Sequence, residues 1–130
     1  MRLTPSQPRW CHLTWSTAQH SKFFNIAALA RFCERALVEE CERIGWRAEA
    51  AILPDRIHVL VHVRGRIHRT EVIRTIRAAI AAALKRSGMA DTAPRVWEAG
   101  CWLSVVTNGA AVEGIRRRLR SLNGGSPEGL

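Results

Sequence analysis

The sequence predicts an α+β domain of element order β-α-β-β-α-β, with one further helix near the C-terminal end. Three observations carry this prediction: two-residue alternation from Arg56 to Val63, two long stretches of three- and four-residue apolar spacing, and a length of 130 residues, enough for one hydrophobic core. The first element, Trp10 to Thr17 (WCHLTWST), mixes apolar and polar positions and is rich in aromatic and β-branched residues, so it reads as a strand. From Asn25 to Ile44, the residues Ile26, Leu29, Cys33, Leu37, Cys41 and Ile44 recur at helical spacing. Arg31, Glu34, Arg35, Glu39 and Glu42 fill the other face, and Gly45 ends the helix. Trp46 to Leu53 and Arg56 to Val63 flank Pro54-Asp55, two residues that preset turn geometry, and read as a hairpin. A second helix runs from Thr70, as its N-cap, through Val72, Ile73, Ile76, Ile80, Ala83 and Leu84 to Gly88. Gly88 to Pro94 reads as a loop and Cys101 to Thr107 as a fourth strand, and Asn108 caps a third helix carrying Val112, Ile115, Leu119 and Leu122. This order is that of a ferredoxin-like antiparallel sheet with helices on one face, plus an additional C-terminal helix. Residues 1–9 read as an N-terminal extension, 10–123 as a single domain, and 124–130 as a flexible Gly/Pro/Ser-rich tail.

Composition narrows the chemistry. Twenty Lys+Arg against eleven Asp+Glu leave a formal charge of +9, which favours a polyanionic partner, nucleic acid first. The plainer reading, a solvated basic surface, stands beside it. Tyrosine is absent, so any mechanism with a tyrosine nucleophile is excluded. Cys11, Cys33, Cys41 and Cys101 show no C-x-x-C pairing, and the expectation is reduced core thiols rather than a zinc ribbon or a redox motif. No apolar run reaches the ~18 residues of a membrane span and the first residues lack a signal peptide's apolar stretch, so a cytoplasmic protein is expected.

Candidate site residues follow from strand alternation. In Arg56 to Val63, Ile57, Val59, Val61 and Val63 form a core face, while Arg56, His58, Leu60, His62 and Arg64 share the other. Imidazoles with guanidinium groups at each end suit phosphate binding, against the alternative of a solvated sheet face. On the first strand His12, Thr14 and Ser16 share one face, which brings His12 near His58 if the first and third strands are neighbours. A histidine pair can bind a divalent metal, yet such sites generally add a third ligand, and Arg56 repels a cation from this face. Of the five tryptophans, Trp10, Trp15, Trp46 and Trp102 read as core or rim packing, and Trp97 is the preferred base-stacking residue. Arg116, Arg117, Arg118 and Arg120 line the third helix as candidate backbone-phosphate contacts or as a solvated face.

Three segments resemble a known family. Trp10-Cys11-His12-Leu13-Thr14-Trp15-Ser16-Thr17, Leu53-Pro54-Asp55-Arg56-Ile57-His58-Val59-Leu60-Val61 and Val96-Trp97-Glu98-Ala99-Gly100-Cys101-Trp102 resemble, in order, signature segments of the HUH-type single-tyrosine transposases. That family includes short insertion-sequence enzymes and REP-associated tyrosine transposases, and the resemblance covers residues 10 to 123. It implies a ferredoxin-like fold and the cutting and rejoining of single-stranded DNA beside imperfect hairpins, in several members by dimers. It also implies two motif histidines that hold a divalent metal and a helix-borne tyrosine that attacks the phosphate. His58 matches the second motif histidine, Arg56 stands where the first should be, the tyrosine position falls near Arg118, and Arg77 matches a basic position in the second helix.

Losing a metal ligand and the nucleophile together implies a degenerate member that binds single-stranded or hairpin DNA without cutting it, Arg56 replacing the charge of the metal. Arg56, His58, His12 and His62 would line the binding face, Trp97 would stack a base, and Arg77, Arg116, Arg117 and Arg118 would contact the backbone. No catalytic residue, resident metal or other cofactor is expected; Mg or Mn would enter only with residual activity. DNA is the expected partner, with homodimer formation open and no membrane association. Two alternatives remain: a metal-dependent nuclease using His12, His58 and His62, and a structural dimerisation module without a nucleic-acid role.

Overall fold

Strand β1 (Arg9–Ser16) lies inside the sheet in the computed structural model, which describes residues 9–16, 27–65, 67–88 and 101–124. It is followed by α1 (Ala27–Arg43), β2 (Arg47–Leu53), β3 (Arg56–Val63), α2 (Arg69–Arg86), β4 (Cys101–Val106) and α3 (Gly109–Gly124). The sheet order is β2-β3-β1-β4, with every neighbouring pair antiparallel. That is the ferredoxin-like arrangement with an added C-terminal helix that the element order predicts. Among the described residues, no helix is long and apolar enough to cross a membrane.

Alternation gives the sheet two different faces. Cys11, Leu13 and Trp15 of β1 and Ile57, Val59, Val61 and Val63 of β3 are buried against α1 and α2, forming the main core. The helical spacing read from the sequence supplies much of the other half of that core, Cys33, Leu37 and Cys41 from α1 and Val72, Ile76, Ile80, Ala83 and Leu84 from α2, joined by Ala30; Ile44, read as part of the same apolar stripe, is exposed past the helix end. All four cysteines are free thiols, three of them buried. Helix α1 ends where Gly45 takes a φ of +87° and lets Trp46 N–H reach back to the Cys41 carbonyl at 2.8 Å.

The opposite face carries α3. Val112 and Leu119 pack on Ala51 of β2 and Leu60 of β3, with Trp10, Val106, Ile115 and Leu122 around them. Asn108 starts this helix as the sequence predicts, its Oδ1 accepting from the backbone N–H groups of Ala110 at 2.7 Å and Ala111 at 3.2 Å. Thr70 does not cap α2: the helix begins at Arg69, and His68 holds the N-cap position without a side-chain bond. The expected Thr17 end of β1, the Asn25–Ile26 start of α1, residues 1–8, 89–100 and 125–130, and with them Trp97, lie outside the described residues.

An unusual acid sits in the main helical layer. Glu34 of α1 is only 8% exposed, yet its carboxylate accepts from Ile52 N–H of β2 at 2.7 Å and from Arg31 through both Nε and Nη2. Arg31 Nη2 also donates to the Ile52 carbonyl at 3.1 Å. Every charge and backbone group in this cluster has a partner, which is the condition for burying a carboxylate without a large desolvation cost. β2 is an edge strand, so the pair also occupies the outward-facing backbone of Ile52.

Candidate functional site

Strand pairing brings the sequence-predicted histidines together. β1 and β3 are neighbours with Thr14 opposite His58 and His12 opposite Leu60. The His12 and His58 rings lie 6.0 Å apart between centroids, inclined by 25°. Thr14 stands between them, its hydroxyl 3.4 Å from both His12 Nε2 and His58 Nδ1. A hydroxyl has one proton, so it donates to one ring and accepts from the N–H of the other. Two neutral imidazoles satisfy that arrangement, leaving one N–H donor and one lone pair facing outward.

Electrostatics hold the pair neutral. Burial lowers the His12 pKa, and the positive charge of Arg118 lowers it further. His58 is pushed down to about 4 by burial, then by His12, Arg56 and Arg118. The charge of Arg118 on α3 thus acts on both rings. Arg56, at the start of β3 opposite Ser16, is exposed on the same face.

The remaining candidates separate into three places. His62 sits opposite Trp10, four residues along β1 from Thr14, roughly 13 Å away. Its ring packs on Trp10 with centroids 4.5 Å apart, so it does not join the His12–His58 pair. Burial lowers its pKa, with Arg47 and Arg64 adding to the effect. Arg116 is engaged by acids: its Nε donates to Glu49 Oε2 at 2.5 Å, it pairs with Glu113, and its guanidinium lies 5.2 Å over the Trp10 ring. Arg117 is exposed on α3. Arg77 belongs to α2, in the layer on the other side of the sheet, and its charge acts on Cys101 rather than on the histidines.

Helical geometry explains why Arg116 and Arg118, two residues apart, differ. Residues 116 and 118 are about 200° apart around a helix, so they occupy opposite flanks of α3. One flank meets Glu49 and Trp10, and the charge on the other acts on the histidine pair.

A residue assigned to packing by sequence reasoning is instead open. Trp102 of β4 is 75% exposed, in contrast to Trp15 at 2% and Trp46 at 7%. It stands opposite Thr14 in the β1–β4 register, on the histidine face. The alternation of Cys101 and Leu103 toward the core was the only sequence signal for this orientation; the exposure follows from the edge position of β4.

No group of three His, Cys, Asp or Glu side chains converges among the described residues, Glu49 is engaged by Arg116, and the nearest charges to the pair are guanidinium groups.

No family model matches the chain, and no curated protein matches it in sequence. Solved structures do share its architecture. A Deinococcus radiodurans R1 protein assigned as a transposase superposes with a TM-score of 0.67 at 12% identity, over 94% of this chain and 96% of that one. The fold is shared with that protein. A REP-associated tyrosine transposase, solved bound to a REP hairpin, superposes with a TM-score of 0.54 at 14% identity, over 94% of this chain and 68% of that one. At such identities the likeness carries the transposase fold and no residue roles.

Proposed function

We propose that this transposase-like chain binds single-stranded or hairpin DNA on the sheet face of His12 and His58 and does not cut it. The observation that carries the reading is the sheet face itself: His12 and His58 stand 6.0 Å apart about Thr14, Arg56 is exposed on the same face, and the positive charge of Arg118 on α3 acts on both rings. A phosphodiester finds there one or two guanidinium groups and an imidazole N–H, the donors that bind phosphate best. The chain contains no tyrosine, so a phosphotyrosine intermediate cannot form. Arg56 and Arg118 supply as permanent charge what a metal would supply by coordination. Arg117 adds a backbone contact from α3, while Arg116 holds the helix in place. The hairpin bound by the structurally similar REP-associated transposase supports DNA as the partner class.

The test is a gel-shift assay with a labelled hairpin carrying a single-stranded tail, at two salt concentrations, with and without manganese. The expected result is a salt-sensitive shift with intact DNA. Manganese-dependent cutting that disappears in His58→Ala would overturn the reading in favour of a nuclease. Absence of any shift would overturn it in favour of a module without a nucleic-acid role.

A further inference from the structure

We propose that Trp102 is a stacking platform for one unpaired DNA base, set beside the histidine pair. The inference rests on the DNA-binding reading above and adds which part of the DNA is recognised: a free nucleobase rather than a paired one.

The sheet register places the residues. His58, Thr14 and Trp102 form one row across β3, β1 and β4, because Thr14 is opposite both of the others. Alternation gives all three the same face. Trp102 therefore stands two strand spacings from His58, roughly 10 Å, on the far side of Thr14. Helix α3 covers the other end of this face, over Trp10, Leu60 and Val106, and leaves the Trp102 row open. Ser104, the next β4 residue on this face and opposite His12, is also exposed.

The chemistry selects the occupant. An indole left 75% exposed on a sheet that buries Trp15 beside it offers a flat aromatic surface that solvates poorly. Every nucleobase offers a matching π-face, so stacking is tolerant of sequence. In a duplex, neighbouring pairs cover both faces of a base, and only an unpaired base has a face to give. The charge around the row fits the same strand: Arg118 and Arg56 lie toward the histidine side, and the chain carries a formal +9. A strand crossing the row puts a phosphate against His12, His58 and Arg118 and the adjoining base over Trp102.

The experiment compares the full chain with Trp102→Ala and Trp102→Phe, using fluorescein-labelled single-stranded DNA, a hairpin with a single-stranded tail, and a blunt duplex of the same length. Thermal melts of each protein confirm folding, which an exposed side chain leaves intact. Trp102→Ala is expected to weaken binding of the single-stranded and tailed probes by about 5- to 150-fold, the range for loss of one stacked base, and to leave the duplex unchanged. Trp102→Phe is expected to retain most of the affinity. If the unsubstituted chain binds DNA but Trp102→Ala binds all probes equally well, or loses all three in proportion, the stacking assignment falls and the DNA reading stands. If the unsubstituted chain binds none of them, both fall. If Trp102→Ala instead abolishes self-association in sedimentation while DNA affinity holds, the surface belongs to a second copy and the assignment is overturned.

Discussion

Glu49 and Arg116 tie the C-terminal helix to the edge of the sheet, Arg116 Nε donating to Glu49 Oε2 at 2.5 Å. Glu113, one helical turn earlier, holds the same guanidinium, and the Trp10 ring lies beneath it. The arginine side chain is only 15% exposed, so solvent screens the contact poorly. Arg116→Ala is therefore expected to lower stability by about 1–2 kcal/mol, the scale for losing a charged hydrogen bond in a half-buried site. Urea melts read this loss, and an unchanged midpoint would show that α3 docks through its apolar stripe alone.

Arg118 is expected to behave in the opposite way. It is exposed and its charge acts on the histidine pair from the other flank of α3, so Arg118→Ala should leave the urea midpoint unchanged. Its loss removes one phosphate contact, which lowers the slope of log affinity against log salt by about 0.7 for single-stranded DNA. Removing its charge also lets the His12 and His58 titration midpoints rise, which proton NMR reads directly. Unmoved midpoints would place the guanidinium elsewhere.

The depressed pKa of His58 makes stability depend on acid. The folded ring titrates at about 4 against an ordinary value of 6.5, so between these values the unfolded chain binds the additional proton. The stability contributed by the neutral ring is complete above the ordinary value and is lost as pH falls through the folded value. The melting temperature should decline from pH 7 to pH 4 at constant ionic strength, and His58→Gln should flatten part of that decline. Equal declines in both proteins would reject His58 as a source.

Glu34 is expected to be the costliest acid to remove. Glu34→Ala strands the Ile52 amide and the Arg31 guanidinium at the edge of β2, and one buried unsatisfied group costs about 1–3 kcal/mol. Glu34→Gln keeps an acceptor for the amide and should lose less. Guanidinium-induced unfolding of the two variants gives the comparison, and equal losses would assign the effect to charge rather than to the backbone bond.

The parts legible in the sequence were those set by local period. Ile57, Val59, Val61 and Val63 alternate into the core, and the steps from Ala30 to Cys41 and from Val72 to Leu84 place two helices over them. Leu60, apolar in a row of Arg and His, was the trace of α3 on the opposite face: it is fully buried there. Trp102 was misread because exposure in a strand depends on what lies across the sheet, and the place of β4 at the edge is set by topology, not by its own residues. Arg116 and Arg118 are distinguishable by helical phase, but which flank faces the histidines is decided by how α3 docks. Glu34 looked like one more charge on a polar helix face; its partner on β2 is eighteen residues away in the chain.

The occupied backbone of Ile52 also limits how copies of this chain could grow. A foreign strand arriving beside β2 finds that amide and carbonyl already taken by Glu34 and Arg31, so at Ile52 it has no main-chain bonds to make and the sheet is harder to lengthen on that side.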